Sequence, residues 1–253
     1  MNETNTDQNK VFQVKICAVL MKKMINLANL LSNIATLHIT TSGLTISAMD
    51  QYQIAMAKLM VQKTSFETYD ATRFKLGLDI DRMKKIVDLA KSNEIIDVQY
   101  KQNQLVVSIE EIKTKMGVID LFNIPDVNSV ILNNSGHALL KSDKLRRALI
   151  ASNGISENVL LGIDREKLEL RAKKDVNSVK LRLKKEELIE LESKQYHESR
   201  YPIKHLENLF QYLPNDAIVQ ISFGDQTPLQ IVHDFDNGMG HMIYNLVSFI
   251  EPL

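Results

Sequence analysis

Residues 119–136, IDLFNIPDVNSVILNNSG, interrupt strand-like sequence near the middle of a 253-residue chain. Pro, Asn and Ser end regular structure there, while Ile119, Leu121, Ile124, Val130 and Ile131 are apolar and need a surface to lie on. The run reads as a connector between two equivalent domains. An apolar connector that neither docks nor recruits is a liability, so the same run is a candidate functional element.

On either side of it the chain repeats one plan. Before it, Leu20, Met24, Leu27, Ala28 and Leu31 recur at helical spacing over about 19–32, and Met83, Ile86, Val87 and Ala90 do so over about 79–91, with Asp79 as N-cap. After it, Leu145, Ala148 and Leu149 follow Ser142 as N-cap and stop at Asn153-Gly154; Ile203, Leu206, Phe210 and Leu213 follow Pro202 and stop at Pro214. Each pair of helices starts about 60 residues apart, and the second pair trails the first by about 123. Alternating or β-rich runs fill the gaps: 44–49, 54–59, 74–78, 95–100 and 104–109, then 159–163, 167–172, 179–183, 217–222, 228–233 and 242–247. Residues 100–104 and 163–167 are predicted to be tight hairpins. Residues 184–194 have helical propensity and are nevertheless placed in strand and loop.

This is a duplicated α+β unit with its helices on one face of mostly antiparallel sheets. The expected divisions are a disordered tail over 1–10, a first domain over 11–118, the connector over 119–137 and a second domain over 138–253.

The polar sides of three of the four helices are basic, and that of the fourth is the least so. Lys22 and Lys23 lie on the first, Arg82, Lys84, Lys85 and Lys91 on the second, Lys144, Arg146 and Arg147 on the third, and Lys204 on the fourth. Lys and Arg number 31, as do Asp and Glu, so any basic surface must come from segregation. Helices that face one way would present it to a polyanion, binding phosphates without reading base edges.

Other chemistries find little support. The single Cys17 excludes an internal disulfide and reads as buried filler. The six His are scattered, Asp234–Gly238 reads as a turn, and Walker, dinucleotide-binding and nucleophile-elbow patterns are missing, so no catalytic residue, metal or cofactor is assigned. A signal peptide or membrane helix is not expected, and the anticipated location is inside the cell.

Several segments resemble the sliding clamps of the proliferating cell nuclear antigen family. They are SGLTISAMD from Ser42 to Asp50, Lys22-Lys23, TPLQI from Thr227 to Ile231, GHMIYNLV from Gly240 to Val247, and Ile250. The resemblance runs from about Phe12 to Glu251. It implies a DNA clamp fold, a ring of three copies around duplex DNA, and a non-enzymatic processivity factor that tethers DNA polymerase and other replication and repair proteins and is opened by a clamp loader. By position Lys22, Lys23, Lys85, Arg146 and Arg147 match channel-lining sites; Arg82, Lys84, Lys91, Lys144 and Lys204 are added from periodicity. For a partner peptide the matching positions are Met49, Gln53, Ile54, Ile119, Leu121, Ile124, Pro228, Tyr244, Leu246, Val247 and Ile250.

Asn29, Asp88 and Gln211 stand where relatives are basic, Gln53 where many have His, and Ser248-Phe249 where Pro and a basic residue are common. Extra connector residues leave Val130 and Ile131 as alternatives to Ile124. Edge strands at about 112–118 and 176–183 are expected to close the ring. A subunit of a heteromeric or checkpoint-type clamp, and a monomeric processivity factor, remain alternatives.

Overall fold

A computed structural model describes residues 10–124 and 135–249. The expectations for the tail up to residue 9, for most of the connector including Val130 and Ile131, and for Ile250 lie outside the described residues. The chain divides into two compact units, Met1–Val127 with Phe235–Met242, and Asn128–Asp234 with Ile243–Leu253.

The first unit runs β1 (Phe12–Cys17), α1 (Ala18–Asn29), β2 (Ile34–Thr40), β3 (Gly43–Met49), β4 (Ala55–Gln62), β5 (Thr68–Ala71), β6 (Phe74–Asp79), α2 (Ile80–Val87), β7 (Ile95–Lys101), β8 (Gln104–Ile109) and β9 (Ile112–Gly117). After the connector the same string returns as β10 (Gly136–Lys141), α3 (Asp143–Ser152), β11 (Asn158–Ile163), β12 (Lys167–Lys174), β13 (Asn177–Lys184), β14 (Glu190–Ser193), β15 (His197–Pro202), α4 (Ile203–Tyr212), β16 (Ile218–Phe223), β17 (Leu229–Phe235) and β18 (Gly240–Leu246). Sheet order repeats too. Among the strands before the connector it is β5-β1-β7-β8-β9 and β4-β3-β2-β6; among those after it, β14-β10-β16-β17-β18 and β13-β12-β11-β15. Among the described registers the pairing is antiparallel throughout.

Alternation decides which side of each strand is buried. In β2 the side chains of Ala35, Leu37 and Ile39 are buried, and in β7 those of Ile96, Val98 and Tyr100. Against them lie helices with broad apolar faces. Met21 and Ile25 are buried on α1 beside the expected stripe, because α1 meets α2 as well as strands of both sheets. On α2, Ile80, Met83, Ile86 and Val87 are buried, each contributing about 1.5–3 kcal/mol of hydrophobic stabilisation. The second unit does the same with Tyr201, Phe210 and Phe223 at its centre, the Tyr201 hydroxyl donating to the Thr227 carbonyl at 2.8 Å.

The hairpin at Gln102-Asn103 has both residues at positive φ (51° and 58°), the conformation a two-residue turn requires. In the second hairpin the Asp164 carboxylate accepts from the backbone N–H groups of Glu166 (2.8 Å) and Lys167 (3.0 Å). Residues 184–194 are a strand end, a short 3-10 turn at Lys185–Glu187 and β14, and Asp236–Gly238 is a turn.

Four local expectations are corrected. α2 ends at Val87, so Lys91 lies beyond it; Leu89 and Ala90 continue only with i→i+3 bonds to Ile86 and Val87. Ser142 does not cap α3. Its backbone is helical and its hydroxyl donates to the carbonyls of Pro214 and Asn215 (3.2 Å to the latter), which also accept the backbone N–H groups of Ala217 and Asp143. Pro202 is the residue before α4 and not its first turn. Cys17 is half-buried. Among the described residues no helix is long and apolar enough to cross a membrane.

Gly77 fixes where the connector leaves the first unit. Ile119 bridges to it, the Ile119 N–H donating to the Gly77 carbonyl at 2.9 Å, and a Cβ on Gly77 would strike the Ile119 carbonyl oxygen and lie 2.7 Å from Ile124 Cδ1. Gly77→Ala is expected to cost about 1–3 kcal/mol in urea unfolding and to speed amide exchange at Ile119. Unchanged exchange there would show that the bridge does not hold the connector.

Candidate nucleic-acid and partner surfaces

The predicted basic residues divide by what they already hold. Lys22 on α1 reaches the end of α2, where its Nζ donates to the carbonyls of Ala90 (2.6 Å) and Asp88 (3.4 Å). Those carbonyls lie beyond the last helical bond and at the negative end of the helix dipole, so a cation satisfies both needs. In the second unit Arg146 on α3 does this for α4. Its guanidinium donates to the carbonyls of Phe210 (2.7 Å) and Leu213 and to the side chain of Asn215.

Lys84 pairs with Asp88 at 2.8 Å, Lys91 lies 3.5 Å from Glu94, and Arg82 donates to the Lys115 carbonyl at 3.2 Å. Lys23 lies 4.8 Å from the centroid of the Phe235 ring; burial lowers its pKa, and Asp236 opposes that shift. Lys85, Arg147 and Lys204 are exposed and, among the described residues, take no hydrogen-bond or ion-pair partner. Lys144 is half-buried.

On the first unit the partner residues occupy a loop and the start of the connector. Asp50, 6 % exposed, accepts from the N–H groups of Tyr52 (3.2 Å), Ile54 (2.9 Å) and Ala55 (2.6 Å). These bonds close the loop that carries exposed Gln53, at φ 58°, and half-buried Ile54 after half-buried Met49. The Asp120 carboxylate accepts the Phe122 N–H at 3.0 Å and sets a 3-10 turn over Leu121–Asn123. Leu121 is 38 % exposed and Phe122 is 94 % exposed, whereas Ile119 and Ile124 are half-buried.

On the second unit Pro228 is half-buried, Tyr244 and Leu246 face the core, and Val247 and Phe249 face solvent on alternate positions. The Phe249 N–H donates to the Arg200 carbonyl at 2.8 Å.

A family profile described as "Proliferating cell nuclear antigen, N-terminal domain" matches residues 11–124. The "DNA polymerase sliding clamp" of Natronomonas pharaonis is 26 % identical over 248 residues, covering 95 % of this chain and 99 % of the relative. The chain is thus similar to sliding clamps along nearly its whole length, and to that family's N-terminal domain over residues 11–124. Its fold agrees with that family. A structure titled "C-terminal region of FEN-1 bound to A. fulgidus PCNA" superposes with TM-score 0.87 at 23 % identity, over 96 % of this chain and all of the other. The crystal structure of PCNA from Thermococcus kodakaraensis superposes with TM-score 0.86 at 22 % identity, over 94 % of this chain and all of the other.

Phe122 is not among the candidate residues read from the sequence, and Phe249 enters there only as a departure from the clamp pattern. Phe122 follows Leu121 in a run with turn chemistry, a signal that an exposed aromatic was available; Phe249 continues the alternation of Val247. Topology alone brings His137 to 3.0 Å from Glu190 across β10 and β14, with Glu192 at 3.9 Å, because the residues are more than 50 positions apart.

The two neighbouring arginines of α3 separate structure from surface. Arg146→Ala is expected to lose about 2–3 kcal/mol in denaturant unfolding, since the Phe210 and Leu213 carbonyls lose this charged donor, while Arg147→Ala stays within about 0.5 kcal/mol. Equal losses in the two variants would refute the capping role.

Proposed function

We propose that this chain closes into a homotrimeric ring around duplex DNA and tethers DNA polymerase, clamp loader and other partners through short peptides. The observation that carries the reading is the doubled unit with basic residues repeated on equivalent helices. Lys85, Arg147 and Lys204 are the sites with charge to spare for phosphates, and Lys22 and Arg146 serve both a helix end and the same field. Such contacts are salt-sensitive one by one, so retention must come from encirclement. In this reading the chain carries no catalytic step and acts wherever the DNA is.

The peptide surface is assigned to Met49, Gln53, Ile54, Ile119, Leu121 and Ile124 of the first unit and to Pro228, Tyr244, Leu246, Val247 and Ile250 of the second, with Phe122 added. An apolar plug and strand-like backbone pairing are the expected mode. Tyr244 and Leu246, being core residues, would shape the site from behind while Val247 touches the partner.

On nicked circular DNA the loaded protein should remain bound in about 0.5 M NaCl and leave when the circle is cut, because only topology survives screening. Equal retention on linear DNA with free ends would refute encirclement. Phe122→Ala should weaken a partner peptide by about tenfold or more in calorimetry without lowering the unfolding midpoint. Unchanged affinity would remove Phe122 from the surface.

A further inference from the structure

The end strands β9 and β13 carry charge of one sign. β9 (IKTKMG) bears Lys113 and Lys115, and β13 (NSVKLRLK) bears Lys180, Arg182 and Lys184, with no Asp or Glu on either. All five are exposed, whereas Met116 and Leu183 on the alternate positions are buried, so the cations share the side of each strand that faces away from the core. Among the described residues partial neutralisation comes from Glu169, which lies 3.7 Å from Arg182 and is also felt by Lys180, but its carboxylate is already 2.7 Å from Lys167.

Lysines on an edge strand oppose pairing with another strand, and like charges set opposite each other across a pair are destabilising. Beside β9 a cavity of about 440 Å³ is lined by Lys10, Lys101, Lys113 and Lys115 over Tyr100 and Val106, and among the described residues no acidic side chain lines it.

Resting on the ring reading, in which β9 of one copy pairs with β13 of the next, we propose that the seam between copies is a like-charge seam closed by a multivalent anion at the four-lysine cavity. The occupant of each edge is a second copy of this chain. The conclusion does not depend on register, because every basic residue of both strands lies on the outward side. Salt then acts in opposite directions on the two interactions of the ring: it loosens phosphate contacts and tightens the seam.

The test is ring dissociation by fluorescence-detected sedimentation from micromolar to nanomolar protein, in NaCl from 0.05 to 1 M and then with millimolar pyrophosphate at fixed ionic strength. Wild type should assemble more tightly as NaCl rises, and pyrophosphate should reproduce the effect without added salt. Lys113→Glu with Lys115→Glu should assemble roughly tenfold more tightly per seam at low salt and lose the response to pyrophosphate. Lys180→Glu with Lys184→Glu should also tighten the seam. All four substitutions together should weaken it again, since two acidic edges then meet. Near-ultraviolet circular dichroism confirms that each variant is folded.

A wild-type ring that loosens as NaCl rises, or a β9 reversal that fails to tighten it, overturns the like-charge seam and leaves the ring reading standing. No response to pyrophosphate overturns the anion site. A single-chain mass for every variant in every salt overturns the ring reading, and the seam with it.

Discussion

A helix that stops inside a folded unit leaves carbonyl oxygens that must find donors, and both units of this chain meet that need from the neighbouring helix. Lys22 supplies the end of α2 and Arg146 the end of α4. Because the donor is charged, each bond is stronger than a neutral one and complements the helix dipole. The pairs α1–α2 and α3–α4 are thereby fixed, and the sheets they cover are positioned by them. Side chains that look like spare surface cations in the sequence are partly committed to the fold.

Duplication makes this economical. The same string of strands and helices and the same sheet order occur twice, and the cation that closes one helix end recurs at the equivalent place in the other unit although one is Lys and the other Arg. Arg makes more bonds there, to two carbonyls and the Asn215 side chain, as its fork of donors permits. A fold shared with relatives at about a quarter of identical residues is consistent with such constraints, since what must persist is alternation, helix faces and a donor at each helix end.

The connector shows another constraint, close approach of backbone. Gly77 leaves room for Ile119, and Asp120 then sets the turn that turns Phe122 outward. An apolar ring held in solvent by two polar anchors is the opposite of what burial favours, and it marks the place where the chain's local structure serves something other than its own core.

The sequence by itself determined the class of fold, the doubling and the side of each helix, because periodicity of apolar residues maps directly onto burial. The extent of the helices was legible to within a few residues, and Asp79 was a true cap, its carboxylate accepting the Arg82 N–H. Ser142 was not, since its buried hydroxyl donates to the Pro214 carbonyl, 72 positions away in the chain. The exposed state of Phe122, the core position of Tyr244 and Leu246, and the division between occupied and unoccupied cations likewise depend on contacts distant in the chain. Local pattern says which residues are apolar or charged; only the tertiary structure decides which of them have already found a partner.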